Sequence, residues 1–158
     1  MMPLEDFITA AEVILTSSAA PWPAERYKPE LFRAMAALVQ TRIVVMAEVC
    51  ALVDFLFLAE PPIDDAAFTK AFSADFAAPT LDEIATAFAT CEWNAEALKT
   101  AVETVGAKHD VKLGKLQGPL RIAITGRSVG PPLFEPIELL GRDESLRRIK
   151  SALARAQG

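Results

Sequence analysis

Residues 119–141 hold the densest set of groups in this chain able to grip an electronegative or planar ligand. Arg121 and Arg127 supply planar cations with several N–H donors each. Between them and Gly141, glycine and proline mark where helices stop and start. Glycine takes the left-handed backbone cheaply just past a helix end, and proline fits a first turn because its missing N–H is not needed there. The pattern predicts a short helix over 119–125 that stops at Gly126. A polar loop follows, then a second short helix opened by Pro131-Pro132 and closed by Gly141. Such a loop aims the backbone N–H groups of Leu133, Phe134 and Glu135 outward beside the two arginines, an arrangement suited to phosphate or to the acceptor edge of a base.

Catalytic sets are missing by comparison. There is no P-loop, no dinucleotide glycine pattern, no Ser-His-Asp set and no cysteine with an activating partner. The single histidine, and two cysteines 41 positions apart, give neither a metal-ligand spacing nor a disulfide framework. The sequence therefore predicts no catalytic residue, no metal and no cofactor. Asp64-Asp65 is explained as a helix cap rather than an acid–base pair.

The formal charge is −5, which argues against nucleic-acid binding until it is mapped along the chain. Residues 1–110 carry 7 Lys/Arg against 17 Asp/Glu, whereas residues 111–158 carry 9 against 4. The basic part coincides with the loop, so an RNA footprint is expected there.

The same stretch, Pro119-Leu120-Arg121-Ile122-Ala123-Ile124-Thr125-Gly126 followed by Pro131-Pro132-Leu133-Phe134-Glu135 and Glu138-Leu139-Leu140-Gly141, resembles a signature of bacterial glutamyl-tRNA synthetases. In that family it lies in the helical anticodon-binding region. Val111-Lys112-Leu113-Gly114-Lys115, Cys91-Glu92-Trp93-Asn94 and Arg142-Asp143-Glu144-Ser145-Leu146 extend the resemblance over roughly residues 91–154, and it is followable more loosely back to Leu38-Val39-Gln40-Thr41-Arg42. The resemblance implies a tRNA anticodon recognition module whose partners are the tRNA(Glu) anticodon loop and, in cis, the catalytic domain of the parent synthetase. It implies that Arg121 lies at the anticodon, that Gly130, Pro131, Leu133 and Phe134 surround its first two bases, and that Arg42 reads the third, a cytosine. Gly130 stands where the family often has Thr or Ser, which leaves only backbone contacts at that position. Leu133 and Phe134 are open to a second reading as core residues. Lys112, Lys115 and Arg127 are candidate phosphate contacts or plain exposed cations. The His-x-Gly-His turn and lysine-rich loop with which such synthetases bind ATP are not in this sequence, so the chain alone is expected to be inactive in aminoacylation. Two other readings stay open: a helical protein-interaction module that kept the fold without binding RNA, and a freestanding tRNA-binding paralogue.

The elements that must position these residues read as helices throughout. A face of Leu4, Phe7, Ile8, Ala11 and Ile14 or Leu15 predicts a first helix, and Phe32, Met35 and Val39 a second from Pro29. With no glycine or proline after Gln40, that helix is expected to run on through Arg42 into the apolar stretch 43–58. Pro61-Pro62 stops it. Asp64 or Asp65 caps a helix to Phe72, Thr80 to Glu83 reads as a capping box opening the next, and Asn94 caps one that ends near Gly106, leaving His109 in a loop. The last helix, capped by Asp143, is expected to bury Leu146, Ile149 and Leu153 and to expose Arg147, Arg148 and Lys150. Trp22 and Trp93 read as packing anchors, Cys50 and Cys91 as core. The sum is an all-α, compact cage of about eight short helices in two small subdomains, expected at 1–90 and 91–158. The acidic start and the absence of a long uncharged apolar run predict no secretory signal and no membrane span, the cysteine usage fits the cytoplasm, and a monomer is expected.

Overall fold

The computed structural model describes residues 2–43, 46–128, 130 and 132–157, and not the side chain of Ala47. Every regular element among them is helical, and no helix is long and apolar enough to cross a membrane. The chain divides into two compact units, Met1–Pro61 and Pro62–Gly158, at the Pro61-Pro62 step. The sequence placed the division at 90/91, which falls inside the second unit, between two helices that pack on each other.

The first unit packs α1 (Leu4–Leu15), α2 (Pro29–Gln40) and α3 (Val49–Phe57) around Phe7, Phe32, Met35, Val53 and Phe57. Trp22 is buried and its indole N–H donates to the Leu15 carbonyl at 3.0 Å, ending α1 with a partner for an otherwise orphan acceptor. Arg26 Nε does the same for Phe57 O at the end of α3, at 2.9 Å. The expected run-on of α2 does not occur. The Thr41 hydroxyl donates back to Leu38 O and the Arg42 N–H to Val39 O, a tightened last turn. Among the described residues, helix next appears as a 3-10 turn at Met46–Glu48.

The second unit holds α4 (Asp65–Phe72), α5 (Ala77–Thr90), α6 (Ala95–His109), α7 (Leu113–Thr125), α8 (Phe134–Leu140) and α9 (Arg142–Gln157). Helix α5 is its centre, packed by α4, α6, α7 and α9. One core joins Leu81, Ile84 and Phe88 of α5 to Leu98 and Val102 of α6, Leu116, Leu120 and Ile124 of α7, and Ile149 of α9. Asp64 and Asn94 cap as expected, accepting from the Ala67 and Ala97 N–H groups at 3.1 and 2.8 Å.

Several boundaries differ from the sequence reading. Helix α5 begins three residues before Thr80, because Pro79 sits in its first turn at no cost in hydrogen bonds. The Thr80 hydroxyl is buried and donates to Phe76 O instead of capping. Helix α6 continues past Gly106 to His109 and closes on Asp110 in the left-handed region. The Asp110 and Val111 N–H groups bond back to Ala107 O and Gly106 O. Gly106 is required there because a Cβ would stand 2.4 Å from Val111 O. His109 is thus helical, with Nε2 3.1 Å from Glu83 Oε2. That contact, with Lys108, holds the Glu83 carboxyl below its ordinary range.

Arginines on α9 lock this unit. Arg142 donates to the carbonyls of Phe88 and Cys91 at the end of α5 and lies over the Trp93 ring at 5.3 Å. Arg148, expected in solvent, is 5% exposed: it bonds Ile124 O at 2.7 Å and Glu144 Oε1 at 2.8 Å. Leu146 is only half-buried; the buried positions of α9 are Ser145, Arg148, Ile149, Ala152 and Leu153.

Arg148→Met leaves the Ile124 carbonyl unpaired and is expected to lower the unfolding free energy by about 2–3 kcal/mol, whereas Arg147→Met, which loses an exposed pair, costs less than about 1 kcal/mol; urea denaturation measures both. A pH effect accompanies this pair. Hydrogen bonds from Arg147 and then Arg148 hold the Glu144 carboxyl below its ordinary range, against the opposing pull of partial burial. A carboxyl lowered in the folded state stabilises fully above the ordinary glutamate value of about 4.3, and that contribution is lost as pH falls through the lowered value. The stability difference between the wild type and Glu144→Gln is expected to be widest near neutrality and to close below about pH 4, as read from thermal unfolding across pH.

Candidate nucleic-acid interface

Helix α7 is where the site is built. It starts at Leu113, two turns before the expected Pro119, because the apolar positions 113, 116, 120 and 124 keep one face of the chain against the core across the proline. An interior proline costs about 3 kcal/mol, which burial of Leu116, Leu120 and Pro119 itself offsets. The neighbouring row, Leu113, Gln117 and Arg121, is half-buried and borders the core face.

The helix ends on Gly126, φ +81°, as the sequence predicts. The tertiary constraint on that glycine is severe: a Cβ would lie 2.1 Å from the Pro62 carbonyl oxygen. The two segments are also tied by a hydrogen bond from the Asp64 N–H to Gly126 O at 2.8 Å. The Thr125 hydroxyl donates to Arg121 O at 2.9 Å and accepts from the Arg127 N–H at 3.2 Å, turning the chain into the loop. Arg127 is half-buried in that turn.

Beyond it, Gly130 lies beside Arg121: a Cβ placed on the glycine would stand 3.4 Å from Arg121 Nη1. The loop and α7 therefore bring these two sequence-predicted residues together. Pro131 lies outside the described residues. Helix α8 begins at Phe134 rather than at the proline pair, with Leu133 as its N-cap and Pro136 in the first turn. Leu133 and Phe134 are 2% and 8% exposed and belong to the core cluster. Their rings and methyls are thus unavailable as stacking platforms, and what they offer a ligand is backbone.

Pro132, Leu133, Phe134 and Glu135 form one wall of a groove with a cavity volume of about 540 Å³. Leu113 and Gln117 of α7 form its floor, and Ala95, Glu96 and Lys99 of α6 the other wall. The Glu138 carboxylate accepts from the Ala95 N–H at 2.7 Å and the Trp93 indole donates to Glu138 O, so α8 fixes where α6 begins. The groove thus brings together an amide, an ammonium, two carboxylates and apolar surface, with Arg121 one turn further along α7.

Lys112 and Lys115 are exposed and border a different groove at the α6–α7 turn, beside Phe76, Asp110 and Val111. Nine residues separate Lys112 from Arg121, about 13 Å along a helix axis. Arg42 belongs to the first unit, where it is exposed in the turn after α2. Sequence reasoning did not single out Gln117 or Lys99. The spacing of Gln117 four residues before Arg121 carried that signal, whereas Lys99 reaches the groove only through the packing of α6 on α7 and α8.

Comparison with known proteins adds the following. A family model described as "Anticodon binding domain" matches residues 7–153. The chain is 46% identical over 153 residues to a glutamate–tRNA ligase of Frankia casuarinae, covering 97% of this chain and 32% of that protein. It is 46% identical over 159 residues to a glutamate–tRNA ligase of Salinispora arenicola, covering 98% and 34%. The chain spans about a third of the length of these relatives. Among solved structures, a glutamate tRNA ligase from Elizabethkingia meningosepticum, in complex with its amino acid, superposes with a TM-score of 0.76 at 22% identity. The match covers 97% of this chain and 29% of that one, and shows a shared fold.

The two loop glycines separate structural need from binding surface. Gly126→Ala is expected to cost about 2–4 kcal/mol, from a strained backbone and a backbone clash. Gly130→Ala makes ordinary van der Waals contact and stays within about 0.5 kcal/mol of wild type. Denaturant titration of the two variants checks the contrast.

Proposed function

We propose that this chain, which belongs to the anticodon-binding domain family, reads the anticodon loop of tRNA(Glu) for a glutamate–tRNA ligase. The observation that carries the reading is the placement of the Arg121 guanidinium beside Gly130, one turn along α7 from Gln117, which lines a groove with the starts of α6 and α8. Anticodon bases are unpaired and can be splayed out, so their Watson–Crick edges are open to a planar cation with fixed donors. Arg121 takes one such edge. The backbone of Gly130 and of the Pro132–Phe134 segment lines the approach, and the absence of a side chain at 130 keeps it open. Arg42 reads the third base from the first unit.

Lys112, Lys115 and Arg127 hold phosphates, which sets register and affinity but not sequence. The net charge of the chain is −5, so attraction to RNA rests on the concentration of cations after residue 110 and falls as salt screens it. The parent catalytic domain, in cis, performs the chemistry. The gain to that enzyme is selectivity, since the anticodon bases are bound only when they match. We place the module in the cytoplasm and take it to act as a monomer, in keeping with its two unpaired cysteines.

The test is binding of the chain to the tRNA(Glu) anticodon stem-loop, beside hairpins with altered anticodon bases. Arg121→Ala and Arg42→Ala are each expected to weaken the cognate hairpin about 10- to 100-fold and to erase its advantage over the altered hairpins. Lys112→Ala and Lys115→Ala are expected to weaken all hairpins alike and to lower the slope of log affinity against log salt by about 1 each. Equal, weak binding to every hairpin, unmoved by the arginine variants, would overturn the reading.

A further inference from the structure

We infer that Thr125 is the positioning residue of this site: its hydroxyl turns the chain out of α7 so that Gly130 comes back beside the Arg121 guanidinium. The inference rests on the anticodon-reading function above and adds to it a residue that touches no RNA.

A helix that ends on a left-handed glycine closes in one of two common ways. In the first, the N–H of the residue after the glycine also returns to a carbonyl of the last turn. In the second, only the glycine N–H does so. Helix α7 takes the second form, with the Gly126 N–H donating to Ile122 O at 2.9 Å. The Arg127 N–H is given instead to Thr125 Oγ1, at 3.2 Å. The same hydroxyl donates to Arg121 O at 2.9 Å, with Arg127 O further off at 3.3 Å.

Thr9 and Thr104 also donate to the carbonyl four residues back, but from exposed positions inside α1 and α6. Thr125 is buried, and its hydroxyl accepts as well as donates. A hydroxyl can serve a donor and an acceptor at once, which a methyl group cannot. On one side it holds the residue that carries the reading guanidinium, and on the other the residue that opens the loop. Gly130 then arrives with its missing Cβ 3.4 Å from Arg121 Nη1. The bonds from the Asp64 N–H to Gly126 O and from Arg148 to Ile124 O seat the helix end against its neighbours. The Thr125 hydroxyl sets the direction in which Arg127 leaves it. Loss of that hydroxyl leaves the helix seated and lets the loop shift relative to Arg121.

The test measures binding to the cognate anticodon hairpin and to hairpins altered one base at a time. The proteins compared are wild type, Thr125→Val, Thr125→Ser, Arg121→Ala and the double variant of Thr125→Val with Arg121→Ala. Valine keeps the branched shape and loses the hydroxyl, whereas serine keeps the hydroxyl and loses the methyl. Thr125→Val is expected to lower the preference at the base read by Arg121 about 10-fold, with the preference assigned to Arg42 kept. Thr125→Ser should recover most of that loss. Because the threonine acts through the arginine, the double variant should bind the cognate hairpin about as Arg121→Ala alone does. A merely structural loss would weaken every hairpin by one factor and would add to the arginine effect. Thr125→Ala carries the same comparison if the valine variant shows no cooperative thermal unfolding. Wild-type preferences in the variants that lack the hydroxyl, no recovery with serine, or additive losses in the double variant would each overturn the assignment while leaving the anticodon reading intact. A wild-type protein that discriminates at no position would overturn both.

Discussion

The approach of Gly126 to Pro62 is the constraint on which the site depends. Two backbones pass so closely that no Cβ fits, and the Asp64 N–H to Gly126 O bond holds them. The end of α7 is therefore fixed against the segment that opens its own unit. Two residues earlier, Arg148 holds the Ile124 carbonyl from α9, and the Thr125 hydroxyl joins Arg121 O to the loop beyond. Together these bonds determine where the Arg121 side chain starts and where the loop to Gly130 begins. A loop anchored in this way can present backbone groups at a set distance from a guanidinium without being rigid along its whole length.

Arginine has two distinct uses in this chain. Arg26, Arg142 and Arg148 direct their donors at carbonyls near the ends of α3, α5 and α7, where the last turn leaves acceptors without intrahelical partners. Arg155 pairs with Asp65 and lies over Phe68 at 4.7 Å. The basic excess after residue 110 is therefore not all surface available to RNA. Four of the remaining cations, Lys112, Lys115, Arg121 and Arg127, fall within 16 residues of one another on α7 and its flanks, and Lys150 is exposed on α9.

Local signals were reliable where a short polar side chain or a glycine meets a helix end by itself. Asp64 and Asn94 cap, and Gly126 and Gly141 take the left-handed backbone. They failed where a buried face outweighed local preference. The core face of α7 carries helix through Pro119, burial of Thr80 turns a capping box into an interior threonine, and α6 runs on through Gly106, whose missing Cβ leaves room for Val111 O. The end of α2 failed in the opposite sense. No breaker was written there, yet Thr41 competes for the backbone and the helix stops.

The sequence by itself determined the all-helical class, the family resemblance, and Arg121 with the Gly126 to Gly141 frame as the place to look. Residue type and near-neighbour spacing are enough for those, since caps, glycine turns and apolar periods act over a few residues. Tertiary structure alone decided which side chains face outward. It buried Leu133 and Phe134, drew Arg148 inward to an orphan carbonyl, set Gly130 against Arg121, and brought Lys99 of α6 to the groove floored by Gln117. Those outcomes depend on which helix packs against which, and contacts between residues far apart in the chain leave no periodicity for a sequence to display.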